Sequence, residues 1–217
     1  MKILRRLGAY IYVPLLFIII GYGCIWMAGK PVIDFATSIS HILFMNDAPK
    51  NSGNVYQEGK LSKNVVFVSS IKFPTKGNQF GEVSIDSLKV SLPLYYGDDV
   101  LTLDKGAGMY TNSSFPGFKG ATVIGGHNRP IFGNVYYLKV GNTFEIKTSY
   151  GNFTYEVESN QILKYDDNAF FDTYLSQREQ SYAILYTCYP LDAIGWANDR
   201  SVAVGKLIDG PIIDDSK

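Results

Sequence analysis

Cysteine and histidine are scarce in this 217-residue chain, two of each, so chemistry built on them has few places to reside. Cys188 lies in YAILYTCYP, at the end of a β-rich run that Pro190 stops. His127 follows the run ATVIGG and opens the loop HNRPIFG, and Arg200 begins the run RSVAVGKL, twelve residues after Cys188. The period-two alternation of a strand puts Tyr182, Ile184, Tyr186 and Cys188 on one face and Ala183, Leu185 and Thr187 on the other. If runs 182–188 and 200–206 pair as an antiparallel hairpin, Cys188 and Arg200 meet at its open end. A thiolate there is a nucleophile, although an ordinary cysteine of pKa about 8.5 is only roughly 3% thiolate at neutral pH. An adjacent imidazolium raises that fraction and protonates a leaving amine. A guanidinium beside an acyl carbon orients the substrate and stabilises the oxyanion. Plainer readings compete: a lone strand-end cysteine as a small buried hydrophobe, a loop histidine as a satisfied polar group, a strand-opening arginine as a solvated charge. Residue types and spacing leave both sets open.

The elements that must position these residues follow an unlike N-terminal segment. The chain holds 20 Lys+Arg and 20 Asp+Glu, a formal net charge of zero. Residues 1–30 contain Lys2, Arg5, Arg6 and Lys30 and no acid, which leaves 16 basic against 20 acidic residues in the remainder. Residues 9–28, AYIYVPLLFIIIGYGCIWMA, carry no charge, and twenty residues at about 1.5 Å each span the roughly 30 Å core of a bilayer. Three basic residues before this run place the N-terminus in the cytoplasm and the bulk of the chain outside. Trp26 spoils the small-x-small pattern of a cleaved signal peptide before Ala28-Gly29, and Gly21 stands where lipidation at Cys24 wants an aliphatic residue. The expectation is a cytoplasmic basic segment at 1–8, a retained transmembrane helix at 9–28 in contact with lipid, and a juxtamembrane helix and stalk at 29–64. His41 is a bystander in that stretch. The exported remainder, 65–217, then holds a single cysteine, which cannot form an intramolecular disulfide and is flagged as reactive.

From residue 65 onward the pattern is mainly β. Runs at 65–71, 82–86, 88–96, 121–125, 142–149, 152–159, 182–188 and 201–208 are separated by Gly, Asp, Asn and Pro, as expected of a closed barrel or a sandwich. Residues 165–179 fit a short helix. No phosphate-binding Gly-rich loop and no His-Glu-x-x-His zinc motif occurs, no cofactor or metal is expected, and the charge balance argues against a nucleic-acid partner. Asp166, Asp167 and Asp172 lack the regular spacing of a calcium loop and read as solvated, Arg129 reads as a loop charge, and Tyr182 and Tyr186 as packing. Asn112 and Asn152 match the glycosylation pattern, which is common by chance.

ILYTC at 184–188 resembles the Thr-Leu-x-Thr-Cys signature of sortases, the membrane-anchored transpeptidases of Gram-positive bacteria. GGHN at 125–128 is similar to their Gly-His motif, and Arg200 falls where they place their arginine. The resemblance runs over roughly residues 80–208 and includes SFPGFKGATVIGGHN; TCYPLDAIGWANDR looks most like class D. Ile184 departs from the signature on the face that carries Cys188. The resemblance implies an eight-stranded sortase barrel and a Cys188–His127–Arg200 mechanism. Cys188 would be the nucleophile toward an LPxTG-like sorting signal of secreted surface proteins, His127 the acid/base group, and Arg200 the substrate and oxyanion clamp. An amine, such as that of a peptidoglycan precursor, would resolve the thioester and leave the cargo on the cell wall. Alternatives are a class C-like pilin-polymerising sortase and a non-catalytic, membrane-tethered barrel that binds wall material. L,D-transpeptidases and NlpC-type peptidases place their cysteine in other motifs.

Overall fold

The computed structural model describes residues 12–30, 32–33, 65–128, 131–193 and 196–214. Lys2, Arg5 and Arg6, most of the expected juxtamembrane helix and stalk with His41, and Arg129 lie outside the described residues. Helix α1 (Tyr12–Lys30) has 19 residues and a mean hydropathy of 1.8, with none of its apolar window buried against protein. It is long and apolar enough to cross a membrane. Its described part runs to Lys30, two residues past the span expected from the uncharged run.

Strand β1 (Val65–Phe67) stands apart and pairs in parallel with the last strand of the chain. Eight others form a closed barrel: β2 (Gln79–Ile85), β3 (Val90–Tyr96), β4 (Ala107–Met109), β5 (Gly120–Gly126), β6 (Thr143–Thr148), β7 (Gly151–Lys164), β8 (Ser181–Tyr189) and β9 (Asp199–Asp209). Their order around the barrel is β2-β3-β4-β5-β8-β9-β7-β6, and β10 (Ile212–Asp214) is the partner of β1. Helix α2 (Val100–Leu103) bridges β3 and β4, and α3 (Asn168–Ser176) falls inside the run expected to be helical. A 3-10 turn, Phe132–Tyr137, follows β5.

The barrel is closed, as the resemblance implied, but its roster of eight differs from the runs read in the sequence. The run at 65–71 supplies β1, which lies outside the barrel, while β4 completes the closure unannounced. Three residues, one of them glycine, carry no usable alternation. Gly108 is there for close approach: a Cβ on it would overlap the carbonyl oxygen of Gly97 and come within 2.8 Å of Leu103. Only a residue without a side chain lets the Gly97–Asp98 backbone that leads into α2 lie flat on β4.

Two apolar layers share the sheet. The lumen is filled by Phe80, Val83, Ile85, Leu94, Phe144, Ile146, Phe153 and Tyr155, with Ala183, Leu185 and Ala203 pointing in from β8 and β9. Phe144 and Tyr155 stack at 5.4 Å. The opposite face of β5, β8 and β9 presents Ala121, Val123, Ile184, Val202 and Val204, against which Phe170, Phe171, Tyr174 and Leu175 of α3 pack. Alternation along β8 therefore divides as expected, with Ile184 fully buried in the outer layer. Ile184 thus acts as packing on the face that carries Cys188.

Replacing Gly108 with alanine forces α2 away from β4. The expected cost is about 1–3 kcal/mol of overpacking, with Tm falling by roughly 2–4 °C per kcal/mol. Thermal denaturation of Gly108→Ala beside the parent chain measures it.

Candidate active site

Strand β8 sits between β5 and β9, and both neighbours fix its register. It runs parallel to β5 with Ile124 opposite Leu185 and Gly126 opposite Thr187. It runs antiparallel to β9 with Thr187 opposite Ser201 and Cys188 opposite Arg200. The conditional hairpin of the sequence is therefore formed. The buried hydroxyl of Thr187 donates to the Gly126 carbonyl at 3.0 Å and locks the last parallel pair. The last parallel pair is Gly126 with Thr187, and His127 and Cys188 are the residues that follow it on the two chains, so both leave the ladder at the same end. A free, half-buried thiol, an imidazole and a guanidinium thus leave three adjacent strands at one rim of the barrel.

Each member is held by neighbours. The guanidinium of Arg200 donates from Nη1 to the carbonyls of Ala197 at 2.8 Å and Asp199 at 2.9 Å. It also lies 5.7 Å from the ring centre of Trp196, a cation–π contact. Trp196 is 70% exposed and meets Tyr165 edge-on at 5.0 Å, so an aromatic pair overhangs the arginine. His127 Nε2 lies 3.1 Å from Oδ1 of Asp104, the residue that ends α2. Asn128, next in the chain, shares its amide hydrogens among the carbonyls of Pro190 (3.4 Å), Leu191 (3.1 Å) and Ala193 (3.1 Å). That one side chain ties the segment after β5 to the loop after Cys188.

A cavity of about 540 Å³ opens on the outer face of the sheet. Val123, Tyr186 and Arg200 line it from the strands, Phe171, Asp172 and Leu175 from α3, and Asp98 from the approach to α2. It reaches the trio through Arg200 and Tyr186 rather than through Cys188 or His127 themselves. Tyr186 stands two residues before Cys188 on the same face, and its phenol pKa is pushed up to about 12, by burial first and the negative charge of Asp98 next. It remains a neutral hydrogen-bonding group at any working pH. Burial also raises the Asp98 carboxyl, against a backbone hydrogen bond first and the charge of Lys76 next. The cavity lining is thus mixed, with Val123, Phe171 and Leu175 apolar and Asp98, Asn168, Asp172, Tyr186 and Arg200 polar.

Among the residues set aside in the sequence, Asp167 caps α3 by accepting from the Phe170 N–H at 3.3 Å, and Asp172 lines the cavity. Among the described residues no cluster of three or more His, Cys, Asp or Glu side chains is placed to hold a metal. Tyr182 packs edge-on against Tyr174 at 5.2 Å, whereas Tyr186 both packs on Phe171 and lines the cavity. Asp104 and Asn128 were not anticipated. Asp104 is 23 residues from His127 in sequence and carries no motif. Asn128 adjoins the histidine, but its partners lie more than 60 residues away.

Residues 83–208 match the family profile described as Sortase domain. The curated protein Sortase D of Bacillus subtilis (strain 168) is 31% identical over 194 residues, covering 88% of this chain and 92% of its own length. Among solved structures, sortase C from Clostridium perfringens SM101 superposes with a TM-score of 0.55 at 28% identity, over 62% of this chain and 72% of that one. A Clostridium perfringens Sortase D5 transpeptidase shares the fold at 24% identity with a TM-score of 0.55, over 62% of this chain and 82% of its own. The profile covers more than half of the chain, and the likeness to Sortase D extends over nearly all of both proteins. The chain belongs to the sortase family and is class D-like.

Proposed function

We propose that the protein is a membrane-anchored cysteine transpeptidase that cleaves an LPxTG-like sorting signal and joins the acyl fragment to an amine, such as that of a peptidoglycan precursor. The observation that carries this reading is the double register of β8, which sets Cys188 opposite Arg200 and at the same end of the ladder as His127. The outer cavity, where apolar Val123, Phe171 and Leu175 stand among polar groups that include Arg200, suits an extended peptide bound beside the thiol. The Cys188 thiolate adds to the scissile carbonyl carbon, and the oxyanion forms beside the Arg200 guanidinium. As the tetrahedral adduct collapses, the C–N bond breaks and protonated His127 gives its proton to the leaving amine. A thioester on Cys188 remains. The acceptor amine attacks it, His127 takes the surplus proton, and the thiolate leaves as the new amide forms. No oxidant, metal or cofactor enters this balance.

The same reading gives α1 a role. With Lys2, Arg5 and Arg6 on the cytoplasmic side, the helix anchors the chain and holds the barrel outside the membrane. Substrate and acceptor would then both reach the site at the outer surface.

Three outcomes test the proposal. With a panel of LPxTG-type peptides and an added amine, Cys188→Ala reduces cleavage and amide product to background, a fall of at least about 10³-fold. A wall-binding barrel without catalysis would instead give no Cys188-dependent cleavage in the parent chain. Asn128→Ala releases the loop after Cys188, costing about 1–2 kcal/mol in thermal stability and lowering kcat severalfold; unchanged stability and rate count against the latch. On intact cells, protease added outside digests the barrel and leaves the first residues protected, whereas protection of the barrel reverses the orientation.

A further inference from the structure

His127 has one ring nitrogen already committed. Its Nε2 faces Asp104 Oδ1 at 3.1 Å, and the two side chains are 33% and 32% exposed. At that exposure water screens the charges, so the contact acts chiefly as a directional restraint. Asp104 is well placed to impose one. It closes α2, where its own N–H donates to the Val100 carbonyl at 3.0 Å. The start of that helix is pinned by Asp99, whose carboxylate accepts from the N–H and the hydroxyl of Thr102 at 3.2 and 3.1 Å and pairs with Lys76 at 3.3 Å. Glycine at 108 lets α2 lie against β4, and β4 pairs with β5 through Gly108 and Gly125. Strand β5 then delivers His127. Carboxylate and imidazole are therefore carried by one continuous packed unit.

We infer that Asp104 is a positioning residue for the acid/base step, accepting Nε2–H and leaving Nδ1 as the nitrogen that exchanges protons with the reacting groups. The inference rests on the reading of His127 as the acid/base group. When the ring is charged, Asp104 holds the imidazolium with Nδ1–H available to the leaving amine. When the ring is neutral, Asp104 favours the tautomer with its proton on Nε2 and a free lone pair on Nδ1, ready to take the proton of the acceptor amine. In this role the carboxylate orients the ring and relays no proton.

The test uses the full chain in detergent with an LPxTG-type peptide and an amine, comparing Asp104→Ala, Asp104→Asn and His127→Ala. Asp104→Ala lowers kcat on the order of 10- to 100-fold, a part of the 10²–10⁴ that general acid–base catalysis supplies, while KM stays within about twofold. Asp104→Asn keeps an oxygen that accepts from Nε2–H and the original volume, so it recovers part of the rate and guards against a folding defect in the alanine variant. Added formate restores part of the activity of Asp104→Ala and none of that of His127→Ala. A parent-like kcat in Asp104→Ala, or a loss confined to KM, overturns the assignment. Full activity in His127→Ala instead defeats the acid/base reading of the histidine itself.

Discussion

The register of β8 between its two neighbours is the constraint on which the site depends. Side chains alternate strictly along a strand, so a slip of one residue would turn Thr187 outward and drive Cys188 into the lumen. Ala183 and Leu185 resist that slip because they are packed inside the barrel, and Ile184 resists it from the other side beneath α3. The Thr187 hydroxyl adds a specific bond to the Gly126 carbonyl at the last pair before the rim. The energy that places the thiol is thus mostly the energy of apolar burial several residues away. Placement of the thiol and stability of the barrel are two consequences of the same pairing.

Beyond the rim the ladder ends, and loops must be held by other means. Two asparagine side chains do this in the same way. Asn128 binds the carbonyls of Pro190, Leu191 and Ala193, and so fixes the loop that follows the cysteine. Asn160, on β7, binds those of Val135, Tyr136 and Leu138, and so fixes the 3-10 turn that follows the histidine loop. A primary amide offers two donors, enough to satisfy several carbonyls that a turn leaves unpaired. Stacking of Tyr136 on Tyr189 at 5.3 Å joins the two clamped regions. The loops around the site are therefore part of the barrel's framework, while the Trp196–Tyr165 pair beside Arg200 stays largely open to solvent.

How much of this was legible in the sequence follows from the range of each interaction. The division of β8 into two faces, and the meeting of Cys188 with Arg200, rest on local alternation and a short hairpin, and both were readable. The apolar N-terminal helix was readable for the same reason, since length and hydropathy are local properties, and α1 is long and apolar enough to cross a membrane. Strand β4 was not, because Gly108 serves contacts with α2 and leaves no pattern of its own. The run at 65–71 looks like any other strand, and only its pairing with Ile212–Asp214 shows that it lies outside the barrel. Asp104 was invisible because nothing in a four-residue helix announces which distant histidine the carboxylate at its C-terminal cap will meet.

The central claim is that Cys188 carries the acyl group between donor and acceptor. Intact-mass spectrometry of the chain mixed with an LPxTG-type peptide in the absence of amine tests it most directly, with peptide mapping of any adduct. The expected result is an acyl adduct on Cys188 that disappears when an amine is added and never forms in the Cys188→Ala variant. Amine-dependent product made by the parent chain with the adduct on another residue, or made equally well by Cys188→Ala, would contradict it.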